Sequence, residues 1–195
     1  MKDEKLKNVV NFLFEVGILA KTPRSGSYFL GSGEQSVAEH TNRTVFIGYA
    51  LATMEGDVDV AKVIKMCLFH DLPESRTSDL NYVHQKYAKA MPGKVLKDFS
   101  KVLPFGKDIK KTVQEYEARD SREAIIAKDS DNLEWVLSMK EQVDTGNSRA
   151  KVWMKNSIKR LRTDSAKALA KQLLKMDSEE WFTDDVSEVA KKKKR

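Results

Sequence analysis

Leu6, Val9, Val10, Leu13, Val16 and Leu19 recur at steps of three and four residues. That is the period of one helix face, and it predicts an amphipathic helix ending before Thr22 and Pro23. Three glycines and three serines then crowd residues 24–35, a composition that predicts a loop. Ser36 and Glu39 stand at the spacing of a capping box, in which each side chain satisfies a backbone amide of the first helical turn. A second helix is expected from there to about Met54, with Val37, His40, Thr44, Ile47 and Leu51 on one face. A third opens near Asp59. It turns Val60, Val63, Ile64, Cys67, His70 and Asp71 inward and Lys62 and Lys65 outward, until Pro73 ends or bends it.

Residues 74–80 read as irregular. Short helices follow over Tyr82–Ala90 and Lys94–Leu103, stopped by Pro92-Gly93 and Pro104-Phe105-Gly106. Lys107–Arg119 and Asp120 to about Val143 read as two more, the second with Asp120 and Glu123 as cap and third-position residues. After a turn at Asp144-Thr145-Gly146-Asn147, Ser148–Leu161 and Ser165–Met176 complete an all-α set with no internal repeat. Beyond Ser178 an acidic stretch and a lysine run predict a weakly ordered tail, so the expected organisation is one domain over residues 1–178 and a tail over 179–195.

Several ionisable groups fall where apolar residues belong. His40 lies on the apolar face of the second helix, His70 and Asp71 end the third, and Asp129 and Asp131 interrupt the long helix from Asp120. A lone histidine on such a face is commonly just a hydrogen-bonded core residue. Two imidazoles with two carboxylates are different, because burying unpaired carboxylates is costly unless a cation compensates them. That ligand mixture suits Mn²⁺, Co²⁺, Fe²⁺ or Zn²⁺ better than calcium. An ideal wheel puts Asp129, beside Ile125, Leu133 and Val136, nearer the apolar centre than Asp131.

Composition narrows the picture. With 33% charged and 41% hydrophobic residues and few glycines or prolines, the chain favours helices over turn-rich sheet. Its net charge of +6 would suggest nucleic acid, but five of those charges sit in residues 191–195, so the body is nearly neutral and offers no basic face. The single cysteine, Cys67, permits no internal disulfide, and no long apolar run offers a signal peptide or membrane span. A cytoplasmic location without membrane attachment is the expectation.

Residues 36–40 (Ser-Val-Ala-Glu-His), 68–75 (Leu-Phe-His-Asp-Leu-Pro-Glu-Ser), 77–80 (Thr-Ser-Asp-Leu) and 127–133 (Ala-Lys-Asp-Ser-Asp-Asn-Leu) resemble, in order, the motifs of the HD-domain phosphohydrolases of 5′-deoxynucleotidase type. The likeness runs from about Leu6 to Val143. It implies an all-α HD-domain helical bundle, commonly a homodimer. It further implies one divalent ion (Mn, Co, Fe, Zn or Mg) and removal of the 5′-phosphate from nucleoside monophosphates. By that resemblance His40, His70, Asp71 and Asp131 are the metal ligands and Glu74 handles the attacking water. Asp79 helps position water and substrate, and Arg24, with Lys21 as a second cation, grips the phosphate. The family register, through Lys128 and Leu133, selects Asp131 over Asp129. Relatives selective for deoxyribose carry tryptophan after the arginine, where this chain has Ser25, so the resemblance does not carry that selectivity over. Trp135 and Trp153 read as core and His84 as surface.

Other phosphate substrates remain as alternatives: a nucleoside triphosphate, a sugar phosphate or an alarmone, the last disfavoured by Ser75 after Glu74. So do a non-catalytic interaction module using the basic tail and a metal-binding scaffold without activity.

Overall fold

A computed structural model describes residues 3–183 and 186. Among them there is no strand, only helices and one isolated antiparallel bridge between Pro23 and Ser36. The chain runs through α1 (Asp3–Val16), α2 (Val37–Glu55), α3 (Val60–Phe69), α4 (Glu74–Thr77) and α5 (Tyr82–Tyr87). It continues through α6 (Pro92–Val102), α7 (Gly106–Ala118), α8 (Arg122–Asp144), α9 (Ser148–Ile158) and α10 (Asp164–Leu173).

Two apolar clusters hold these helices together. The larger packs α2 and α3 on α8 and covers α8 with α9 and α10, through Leu51, Val63, Met66, Ile126, Val136, Met139 and Met154. The smaller joins Phe12 of α1 to Val95, Leu96 and Phe99 of α6 and to Ile109 and Val113 of α7, with Val37 and Leu72 at its edge. Each fully buried side chain of this size contributes roughly 1.5–3 kcal/mol relative to exposure, so burial rather than helix propensity fixes the layers. The start of α2 and the end of α3 border both clusters, and these are the stretches that carry the two histidines.

The α2–α3 contact is unusually close at one point. A side-chain carbon on Gly48 would lie 2.6 Å from the Cys67 sulfur, so the thiol occupies the notch that glycine leaves. The capping box at the start of α2 is complete: Ser36 Oγ accepts from the Glu39 amide, and the Glu39 carboxylate accepts from the Ser36 amide at 2.6 Å.

Local departures from the sequence reading have local causes. The helical path of α1 passes into a 3-10 turn at Gly17–Lys21. Residues 25–29 form another 3-10 turn inside the expected loop, and the Pro23–Ser36 bridge closes its base, with the Arg24 amide donating to the Gln35 carbonyl and Val37 to Thr22. Glu74–Thr77 is helical rather than irregular, because Pro73 can occupy the cap of a helix that it could not continue. Helix α8 is capped by Ser121, whose Oγ accepts from the Ala124 amide, and not by Asp120. Past α10, the Ser178 amide donates to Asp144 and residues 180–183 are helical; the lysine run at 191–195 lies outside the described residues.

Candidate active site

Helix α2 delivers His40 three residues inside its capped start, fully buried. Its Nδ1 lies 2.6 Å from Glu134 Oε2. A carboxylate can only accept, so Nδ1 carries the proton and Nε2 presents a lone pair to the interior. His70, at the end of α3, repeats the arrangement: Nδ1 donates to the Cys67 carbonyl at 2.8 Å, which leaves its Nε2 as the acceptor. The two Nε2 atoms face each other at 3.3 Å.

The carboxylates around them only add acceptors. Asp131 Oδ1 is 3.2 Å from His40 Nε2 and 4.0 Å from His70 Nε2, while Asp71 Oδ2 is 3.6 and 3.2 Å from the same atoms. One ligand atom from each of His40, His70 and Asp131 lies within 4.8 Å of the others. With both imidazoles neutral these four side chains offer one another only acceptors, which the Arg24 guanidinium on Asp71 Oδ2 offsets in part, so the ring favours a cation. A proton answers that need in part: burial and Arg24 oppose charging His40, yet hydrogen bonding to Asp131 and Glu134 raises its imidazole to about 9. A divalent ion taking the four acceptors together answers it more completely, and the N and O donor set suits a transition metal.

The outer oxygens are held from behind. Asp131 Oδ2 accepts from Lys128 Nζ at 2.7 Å and from the Tyr116 hydroxyl at 3.0 Å. Burial opposes its charge, but Lys128 and the histidines hold the carboxyl well below the usual range. Asp71 is likewise held low against its burial by His70, Arg24 and His40. Arg24 Nη1 donates to Asp71 Oδ2 at 3.1 Å and lies 3.7 Å from Asp79 Oδ2. Its Nε is buried without a partner, an unsatisfied donor beside the acceptor ring.

Asp79 sits beside this arginine because its Oδ2 accepts from the Ser25 amide at 3.1 Å, which ties α4's exit to the 24–35 loop. Ser78, just before it, holds φ +60° and ψ 165°, a region essentially confined to glycine and costing roughly 1–3 kcal/mol. Glu74 opens α4. Its Oε2 is buried without a partner, and burial, then repulsion from Asp71 and Asp79, push its carboxyl up to about 9 despite Arg24.

The structure therefore brings ligand atoms of His40, His70 and Asp131 together, sets Asp71 against both imidazoles, and places Arg24, Glu74 and Asp79 beside them. It separates Asp129, whose carboxylate accepts from the amides of Arg162 and Thr163 and from the Thr163 hydroxyl. Lys21 is exposed and lines a different cleft, whereas Lys128 pairs with Asp131 and lines the cavity at the site. His84 is exposed, as expected. Trp135 and Trp153 do pack against the core, but both also line a cavity at the site.

Glu134 went unnoticed in the sequence. It is fully buried, and besides His40 it accepts from Gln35 at 2.7 Å, Arg43 at 2.9 Å and Ser138 at 3.1 Å. Burial works against its charge, but His40 and Arg43 outweigh it and lower the carboxyl to about 2. The signal available was its place three residues after Asp131, next to buried Leu133.

Known proteins resemble this chain in sequence and in fold. A family model described as HD domain matches residues 16–173. The protein named 5′-deoxynucleotidase HDDC2 from Dictyostelium discoideum is 31% identical over 149 residues, covering 70% of this chain and 78% of its own length. Its Bos taurus counterpart is 26% identical over 153 residues, covering 75% and 74%. A conserved hypothetical protein from Pyrococcus furiosus superposes with a TM-score of 0.73 at 24% identity, covering 86% of this chain and 99% of that one.

Proposed function

Because the chain belongs to the HD-domain family, we propose that it is a metal-dependent phosphohydrolase that removes the 5′-phosphate from nucleoside monophosphates, deoxy or ribo. The observation that carries this reading is the ring of acceptors: two Nε2 atoms 3.3 Å apart, each fixed as an acceptor by the partner of its Nδ1, with Asp71 and Asp131 closing on them. Those four side chains would hold the ion. A bound divalent cation supplies charge that polarises the phosphoryl group and eases ionisation of water.

The protein's own groups do the rest. Arg24 turns its unpartnered Nε toward the phosphate and balances negative charge as it builds up on the phosphoryl oxygens. Asp79, 3.7 Å from the same Nη1 that meets Asp71, helps keep the guanidinium in place. Glu74 exchanges the proton of the attacking water at Oε2, the oxygen that lacks a partner. The activity for which the relatives are named supports the nucleotide as substrate. We further read the enzyme as a homodimer of the cytoplasm; among the described residues no helix is long and apolar enough to cross a membrane.

Phosphate release from a panel of deoxynucleoside and ribonucleoside monophosphates, a sugar phosphate and a nucleoside triphosphate tests the assignment. Chelation should abolish release and Mn²⁺ or Co²⁺ should restore it, with the nucleoside monophosphates turned over faster than the sugar phosphate or the triphosphate. Metal binding without turnover of any of them would overturn the reading.

A further inference from the structure

Two cavities meet at the acceptor ring, where they share Asp71, Asp79, Leu80 and Gln85, and diverge in the rest of their walls. The wider, about 1070 Å³, has Glu74 and His70 in its wall but no phenylalanine, tyrosine or tryptophan. The narrower, about 540 Å³, has Arg24 and Asp131 at its inner end and Phe29, Tyr82, Trp135 and Trp153 farther out. Its volume suits a ligand of nucleoside size. Phe29 and Trp153 stand with ring centroids 6.3 Å apart and tilted by 37°, and Asn132 and Asn156 present amides to the same space.

Hydrolysis of a phosphomonoester breaks the bond between phosphorus and the 5′-oxygen as the water oxygen bonds to phosphorus. One water proton ends on the 5′-oxygen of the released nucleoside and the other stays on orthophosphate. The entering and leaving oxygens lie roughly in line, on opposite sides of phosphorus. Glu74 lines only the wide cavity and the tryptophans only the narrow one, so a phosphate held by Arg24 between them has water on one side and the leaving alcohol on the other.

We infer that the narrow cavity is the nucleoside subsite, with the base stacked against Trp153 and its edge facing Asn132 and Asn156. This rests on the phosphohydrolase reading and adds to it the direction in which the substrate lies. Trp153 and Asn156 come from α9, beyond the stretch in which the family motifs occur, so this wall sets base preference separately from the chemistry.

The test uses the full chain loaded with Mn²⁺ and compares a deoxynucleoside 5′-monophosphate with 2-deoxyribose 5-phosphate, which keeps phosphate and sugar but lacks the base. Trp153→Ala should lower the ratio of the two kcat/KM values about 10- to 100-fold, chiefly through the KM for the nucleotide. Tyr82→Ala, at an exposed position that the fold does not depend on, should lower the ratio by less. A ratio unchanged in both variants overturns the inference. If the wild-type chain releases phosphate from neither compound, the hydrolytic reading fails by itself, and intrinsic fluorescence then decides the subsite. Quenching by the nucleotide but not by inorganic phosphate, reduced in Trp153→Phe, upholds it, and no quenching removes it.

Discussion

Asp129 and Asp131 stand two residues apart on α8, yet they inhabit opposite chemical surroundings. Asp129 is met by two backbone amides and a hydroxyl from the α9–α10 junction, so every donor near it is already used in holding that corner together. Asp131 turns one oxygen to Lys128 and Tyr116 and the other to the Nε2 atoms of two imidazoles whose Nδ1 protons are already engaged. A buried carboxylate is therefore not by itself a sign of function. The character of its neighbours decides: donors make a structural clamp, and further acceptors make a site that demands a cation.

That contrast can be broken by mutation. His70→Ala removes one acceptor from the ring and should reduce phosphate release by at least about 1,000-fold, with no recovery on adding metal. Asp129→Ala should instead cost about 3 kcal/mol of stability, because buried amides lose their acceptor, while the folded fraction keeps its metal content and turnover. Denaturant melts beside metal analysis separate the two outcomes. Mn²⁺ at a hundred times its dissociation constant should stabilise the wild type and Asp129→Ala alike by about 2.7 kcal/mol, and His70→Ala scarcely at all.

A finer test addresses the tautomer. Glu134→Gln leaves His40 an oxygen to donate to but removes the charge that aligns it, and metal affinity measured by calorimetry should weaken about 10- to 100-fold. The smallest effect expected is on the scaffold alone: Ser36→Ala should cost about 1 kcal/mol by opening the capping box, read as a lower melting temperature. A metal affinity unchanged in Glu134→Gln would mean that His40 is oriented by packing and not by its partner.

The helices were legible because their apolar periods are strong and their caps are chemical signatures; the Ser36–Glu39 box is the clearest instance. Wheel geometry failed where a helix is enclosed. Helix α8 buries Ala124, Ile126, Ala127, Asp129, Ser130, Leu133, Glu134 and Val136, which no single face accommodates, so only the motif register could favour Asp131 over Asp129. Glu134 was invisible for a related reason. Its partners Gln35, His40 and Arg43 lie more than 90 positions away in the chain, and its charge looks like any solvated helix position until they arrive. The second role of Trp135 and Trp153 was hidden likewise, since an aromatic that packs on a core and walls a cavity reads only as core.

The notch at Gly48 makes Cys67 useful to an experimenter. Burial pushes its thiol up to about 12, and its sulfur is sealed between the two helices that each bring one histidine. A maleimide or disulfide reagent can reach it only when those helices part, and the chain has no other cysteine to confuse the signal. Labelling rate thus becomes a native clock for breathing of the histidine-bearing pair, and its slowing by divalent ions would time how firmly the cation staples them shut.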